Sequence, residues 1–525
     1  LTCLLCCWAC QGHAADKAPH PIYESDIPLS IPNPPVTPSD QIDALVFAKL
    51  AELNLAPALP CSDAVFLRRA YLTTIGTLPR EDETRDFLAS TEENKRAALV
   101  EHLLQRPEFP EYRAMKWGDL LRVKAEFPIK LWPNAVQAYH QWISASLREN
   151  KPFHHFVQEL LVSSGSNFRE GQVNFYRAMQ DRSPRGIAST VALTFLGERA
   201  EKWPPQKLEA LSGFFANVAF KSTAEWKEEI VYFDPTADKE QLHRAAIFPD
   251  GTPVTLDPGK QDPRLVFASW LLRPENPYFS RTISNRVWAW LMGRGIVEEP
   301  DDFREDNPPS DPALLAYLEQ EFIASRCDLK HLFRIILNSR TFALSSLPAQ
   351  DLPEAAIHFA HYPLRRLEAE VLIDALNQIT ETGEEYSSPI PEPFTFIPEE
   401  VRGIALADGS ITSPFLELYG RPPRDTGLEA ERSRNNTAQQ RLHLLNSSHI
   451  RKKIAACPLV AGSSSSENLS GIAETLYLAI LSRFPTAEEI TTLKAHAEAS
   501  SSSGKALAED LAWALINQPE FFHNH

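Results

Sequence analysis

The sequence predicts a mainly α protein of two packed helical domains with a small β element at their junction. Three observations carry this. Apolar residues recur at helical spacing over most of the chain, β-rich and turn-bounded segments are confined to 229–263, and no run is long and apolar enough to span a bilayer. Of the 525 residues, 43% are hydrophobic and 23% charged, enough apolar mass for large cores and too much for global disorder.

Ser39 offers a helix cap, and Ile42, Leu45, Val46, Leu50 and Leu53 share one stripe behind it. Ser62 caps a segment over 65–72, and helical patterns follow at 95–104, 135–147, 153–161, 186–196 and 205–218. The first domain is therefore set at 39–232. The period then changes. Ile230-Val231-Tyr232-Phe233 is β-rich, and 246–248 and 254–256 flank the turn signal Pro249-Asp250-Gly251, which places a β-containing connector at 233–261. The second domain, 262–525, reads as helices at 264–272, 277–292, 312–325, 329–338 and 367–380. In the last of these, Leu367, Val371, Leu372, Ala375, Leu376 and Ile379 form one stripe. A Pro-rich loop stretch spans 387–423, and helix returns at 472–481 and 507–517. The serine runs at 463–466 and 500–503 read as flexible loops, and His523-Asn524-His525 as a fraying end.

Residues 1–15 are apolar with small residues at Gly12, Ala14 and Ala15, the pattern of a signal peptide cut after Ala14. Residues 16–38 read as a Pro-rich extended linker. The expectation is export to the periplasm or the extracellular space. A lipid anchor at Cys10 stays open, although Cys7-Trp8-Ala9 matches a Leu-rich lipid-attachment box poorly. Four of the seven cysteines lie in this leader; Cys61, Cys327 and Cys457 are too scattered for a disulfide framework or a zinc site. Cys7-Trp8-Ala9-Cys10 has the spacing of a haem attachment, but Gln11 stands where His is required. No cofactor or metal is expected. The net charge of −17 argues against nucleic acid and against an anionic membrane surface as partner.

Three polar groups draw attention. Helix 277–292 places Arg281, Asn285 and Trp288 on one face, with Asn285 and Arg286 among Val287, Trp288, Trp290 and Leu291. Such groups need partners, and Asp301, Asp302 or Glu370 suit an arginine fork. Arg365, Arg366, Glu368, Glu370 and Asp374 gather at a second helix, with Glu370 and Asp374 one turn apart as candidates for acid–base work. Arg421, Arg424, Glu431, Arg432 and Arg434 flank a loop rich in Pro and Gly. Each group reads either as a structural ion-pair network or as part of an anion or sugar-acid site. The expected ligand-binding set is Asn285, Arg286, Arg366, Arg421, Arg424, Glu431 and Arg432, with the 421–434 loop folded onto both helices. His358-x-x-His361 lacks the spacing and the Glu of a zincin; there is no nucleophile elbow, phosphate loop or dinucleotide fingerprint.

Several motifs occur in a fixed order. Ile42-Asp43-Ala44, Arg68-Arg69-Ala70-Tyr71-Leu72, Gly76-Thr77-Leu78-Pro79 and Phe195-Leu196-Gly197 resemble the first of two domains of unknown function that occur together in planctomycete and verrucomicrobial exported proteins. Asn276-Pro277-Tyr278-Phe279, Ser284-Asn285-Arg286-Val287-Trp288, Asp301-Asp302-Phe303-Arg304 and Asn307-Pro308-Pro309-Ser310 resemble the second, as do Asn338-Ser339-Arg340-Thr341-Phe342 and Arg365-Arg366-Leu367. These are domain-of-unknown-function families 1549 and 1553, also called planctomycete cytochrome-associated domains. The resemblance implies thiol segments that this chain lacks. Where relatives often carry Cys-x-x-Cys-His after Phe-Leu-Gly, the chain reads Glu198-Arg199-Ala200-Glu201-Lys202-Trp203; where they carry Cys-Glu-Cys-Glu-Arg, it reads Leu428-Glu429-Ala430-Glu431-Arg432.

The functional expectation is an exported cell-envelope protein with an accessory or binding role toward a polysaccharide or a protein partner. The alternatives are a hydrolase or lyase on acidic glycans, with Glu370 or Asp374 as acid or base, and an electron-transfer partner of a haem protein on another chain.

Overall fold

Helix starts follow local chemistry. The side chains of Ser62, Asn276, Asp311 and Asp328 accept from the first-turn backbone N–H groups of the helices Asp63–Thr74, Pro277–Met292, Pro312–Ala324 and Leu329–Leu337. Proline at the first position of two of these fixes φ where no N–H is needed. The computed structural model describes residues 38–236, 245–398, 400–463 and 469–525. The predicted signal peptide, its linker up to residue 37 and most of the 463–466 serine run lie outside the described residues.

The described chain is mainly α, with small antiparallel sheets. In one, Glu229–Phe233 lies between Val218–Ser222 and Gly165–Ser166, so two of its strands come from the first domain, where only helical patterns were expected before 229. At the junction, Ala245–Ile247 pairs with Pro253–Thr255 in the register Ala246↔Val254, closed by the predicted turn with Gly251 at φ 89°. A third pairs Arg365–Arg366 with His523–Asn524. The expected fraying at 523–525 is therefore corrected: the backbone is taken up by this ladder, and the His525 carbonyl accepts from Arg69 Nε at 2.8 Å.

Among the described residues the apolar side chains form two clusters. One runs from Ile42 to Tyr362 and takes in Ile390, and the other gathers the remaining buried apolar residues of 367–522 with Leu72, Leu78, Tyr112 and Met115. The 233–261 connector marks a change of period but no gap in the first cluster, because Phe248 stacks on Phe214 at 5.0 Å and on Trp270 at 4.9 Å. The N-terminal helix Pro38–Glu52 is held by one buried carboxylate. Asp43 accepts from the Arg340 and Thr341 N–H groups, both at 2.8 Å, and from Thr341 Oγ1 at 2.7 Å. Asp43→Ala leaves those donors unpaired in the core and is expected to lower stability by about 2–4 kcal/mol, read as the urea midpoint at unchanged slope.

Candidate functional site

The predicted polar residues are divided between two places. Arg421, Arg424, Arg432 and Glu370 meet inside the molecule. Arg432 donates to Glu370 Oε2 at 2.6 Å and to Asp119 Oδ2 at 2.7 Å. Arg424 donates to Asp119 Oδ1 at 2.9 Å and to the Ala407 carbonyl at 2.8 Å. Arg421 stands 3.3 Å from Glu370 and donates to the carbonyls of Asp408 and Ile411. Glu368 adds ion pairs to Lys116 and Arg434. Burial pushes the Asp119 carboxyl up, but Arg432 and Arg424 outweigh it and hold it below the usual carboxylate range. Burial, with Arg424 beside it, lowers Arg421 to about 10.

Asp119 was missed by sequence reasoning, which looked to Asp301, Asp302 and Glu370 for partners. The available signal was the three-residue spacing of Arg113, Lys116 and Asp119 among the aromatic and aliphatic residues of the helix Glu108–Leu120. Gly118 completes it: a Cβ there would stand 3.2 Å from Arg424 Cζ, so its absence admits the guanidinium.

The expected single site with Asn285 and Arg286 does not form. The Asn285 side chain bridges the Val297 N–H and C=O at 3.0 and 2.9 Å, and Arg286 donates to the carbonyls of Leu193 and Thr194. Buried side chains on one helix point to different neighbours, and each takes the nearest backbone acceptor. Arg366 does reach the loop, donating to the carbonyls of Tyr419 at 2.8 Å and Ser433 at 2.7 Å. Glu431 turns back on its own loop and accepts from the Asp425 N–H at 2.9 Å. Asp374 is not a free acid either: its oxygens accept from the N–H groups of Gly403 and Ile404 at 2.6 and 3.0 Å. Burial pushes its pKa up to about 7.

An open cleft lies elsewhere, with a volume of about 1360 Å³. Its lining includes residues of three motifs noted for their order, namely Asn276-Pro277-Tyr278, Asp302-Phe303-Arg304 and Asn307-Pro308-Pro309, together with the 198–203 stretch. One wall is aromatic: Phe248 stacks on Trp270 at 4.9 Å and 12°, and Tyr278 follows at 5.7 Å. Trp203 carries Lys207 over its ring at 3.9 Å, and Phe303 carries Arg281 at 4.6 Å. Three of the cleft carboxylates are tethered. Glu198 accepts from Trp203 Nε1 at 2.9 Å and Lys207 Nζ at 3.2 Å; Asp302 pairs with Lys202 at 2.9 Å and Arg304 at 3.2 Å; Asp250 accepts from Trp270 Nε1 at 3.0 Å. At Asp302 slight burial acts upward, while Lys202 and Arg199 act downward and win, so the group lies below its usual value. Gly197 shapes the wall. It adopts φ +67°, a Cβ there would meet the Phe303 ring at 2.8 Å, and its carbonyl accepts from the Phe303 N–H at 2.8 Å.

The two stretches where the resemblance implies thiols meet across Asp301. Arg199 donates to Asp301 Oδ1 at 3.3 Å, and the Glu429 N–H donates to Oδ2 at 3.2 Å. Among the described residues, no group of three or more His, Cys, Asp and Glu is placed to hold a metal ion, and no helix is long and apolar enough to cross a membrane.

Two family models match the chain. A protein of unknown function, DUF1549, covers residues 41–202, and a protein of unknown function, DUF1553, covers 263–497. No curated protein and no solved structure matches.

Two outcomes follow from the buried network. Arg432→Ala removes the guanidinium shared by Asp119 and Glu370, leaving them only Arg424 and Arg421, and is expected to lower stability by about 3–5 kcal/mol in urea unfolding. For Asp374, the folded state keeps a proton that the unfolded chain releases between its usual 3.8 and about 7. Its contribution is therefore full below that window and fades as pH rises through it. The difference in stability between the wild type and Asp374→Asn should shrink from pH 4 to pH 7.5; a constant difference contradicts the assignment.

Proposed function

We propose that this chain, which belongs to the proteins pairing the domains DUF1549 and DUF1553, binds a glycan in the cleft beside Trp203, Trp270 and Tyr278 and does not cleave it. The observation that carries this is the pairing of an aromatic wall with tethered charges on one open cleft. Aromatic rings offer flat apolar surface to the C–H faces of sugars, and fixed guanidinium and carboxylate groups give directional partners for hydroxyls. A polysaccharide of the cell envelope fits an exported protein, as the leader pattern suggests.

Hydrolysis is less well supported. A glycosidase needs one carboxyl with a raised pKa beside the scissile bond. Two of the cleft's carboxylates, Asp250 and Asp302, are instead held below their usual values. Asp374, the sequence candidate with a raised value, is occupied by the N–H groups of Gly403 and Ile404.

A second reading, docking of a protein partner, is favoured by an exposed aromatic surface on three loops. Phe127, Trp226 and Phe396 are 69%, 56% and 73% exposed, and Trp226 packs against Trp132 at 4.6 Å and Phe394 at 5.5 Å. The two readings separate by mutation. Trp203→Ala and Tyr278→Ala, assayed below their unfolding temperatures, should each weaken retention in glycan-loaded affinity gels by about tenfold, while Trp226→Ser leaves it intact. Retention lost only with Trp226→Ser moves the site to the loop surface. Release of reducing sugar by the purified protein, absent from a Glu198→Gln variant, ends the non-catalytic reading.

A further inference from the structure

One guanidinium on the wall of the cleft makes no hydrogen bond among the described residues. Arg281 lies on the helix Pro277–Met292, three residues beyond Tyr278, so the two side chains share a face. It lines the cleft with its side chain 27% exposed. Its nearest carboxylate oxygen, Glu198 Oε1, stands 3.9 Å from Nη2, beyond hydrogen-bond reach. Arg281 Nε is buried without a partner, whereas Nη1 and Nη2 are not shut away from solvent. The rings of Phe303 at 4.6 Å and Tyr278 at 5.4 Å hold the group by cation–π attraction, which takes up none of its N–H hydrogen bonds. The edge carrying Nη1 and Nη2 is therefore open, and its two parallel N–H bonds suit two oxygens of one carboxylate or sulfate.

The neighbouring cations are already engaged. Lys207 donates to Glu198 Oε2 at 3.2 Å, Lys202 pairs with Asp302 at 2.9 Å, and Arg199 reaches Asp301 at 3.3 Å. Glu198 is thus one carboxylate shared by Lys207 and Arg281, which leaves a positive charge over. Glu319, on the adjacent helix Pro312–Ala324, does not make up the difference. Burial pushes its carboxyl up to about 7 against the pull of Arg281, so it is only partly ionised at neutral pH. Glu275, Glu305 and Asp306 also line the cleft, but they are exposed, where water and salt screen them. Spare donors and an incomplete counter-charge on a partly buried guanidinium are both met by an anion that arrives with the ligand.

We propose that the glycan taken by the cleft is acidic, and that Arg281 Nη1 and Nη2 donate to an oxyanion on the sugar, the carboxylate of a uronic acid or a sulfate ester, while the sugar ring lies along Tyr278 and Trp270. This rests on the glycan reading of the cleft and adds the class of sugar to it. The aromatic faces take any pyranose. The open fork adds a charge-assisted pair only when the sugar carries an anion, and with a neutral sugar it keeps its water. The net charge of −17 sharpens the choice, because the surface as a whole repels polyanions and retention must come from a local site.

The test presents the full chain, at neutral pH and one ionic strength, to affinity gels in matched pairs: polygalacturonate against its methyl ester, and carrageenan against its desulfated form. Retention on the acidic member of at least one pair should exceed that on its neutral partner by about tenfold. The pair that shows the difference tells carboxylate from sulfate. Arg281→Gln should bring retention on the acidic gel down to that on the neutral one and leave the neutral gel unchanged. Arg281→Lys keeps the charge without the paired edge and should restore only part of the difference. Should Arg281→Gln fail to fold, the wild-type comparison of acid with ester and of sulfated with desulfated gel decides alone. Equal retention on acidic and neutral gels, or a preference that survives Arg281→Gln, overturns the acidic class and leaves glycan binding in place. No retention on any of the gels overturns both.

Discussion

A buried arginine is tolerable only when its N–H groups find acceptors, and this fold meets that constraint largely with backbone carbonyls. The last carbonyls of a helix have no partner within it and carry the negative end of its dipole. Arg113 reaches Thr73 and Thr74 at the end of Asp63–Thr74, and Arg365 reaches Trp290 and Leu291 at the end of Pro277–Met292. Arg68 donates to the carbonyls of Ile480 and Phe521, and Arg69 to those of Leu344 and His525. In each case donor and acceptor come from segments distant in the chain, so one side chain fixes a long-range contact and its angle. Arg68 and Arg69 thereby join the first apolar cluster to the second.

The Asp119 group works differently, because its arginines face carboxylates. Arg432 is gripped from both sides by Asp119 and Glu370, which fixes the 421–434 loop against two helices. That loop then presents Glu429 to Trp290 and, through its N–H, to Asp301. Asp301 also receives Arg199, which lines the cleft. The buried network and the cleft wall are thus linked by a single carboxylate. Most of the residues that looked chemical in the sequence pair inside the scaffold, while Arg281 and Asp302 line the cleft beside aromatic residues of the ordered motifs and of the helix Pro263–Leu271.

The legible and illegible parts divide by range. The cap at Ser62, the stripe from Leu367 to Ile379 and the turn at 249–251 were readable because each depends on neighbours within a few residues. The strand Val218–Ser222 was not, because it is set by pairing with Glu229–Phe233 and its own residues fit a helical stripe as well. The pairing of His523–Asn524 with Arg365–Arg366 spans most of the second domain and has no local signature.

By itself the sequence determined the mainly α class, the β junction and the paired-domain family, since periodicity, capping and motif order are properties of short stretches. Only the tertiary structure decided which partner each buried charge takes. Asp119, Asp301 and the helix-end carbonyls compete for the same guanidinium groups, and the outcome rests on distances of a few ångströms between segments hundreds of residues apart. The cleft belongs to that second kind as well: Trp203, Trp270, Tyr278 and Phe303 line one surface only because packing brings four separate segments together.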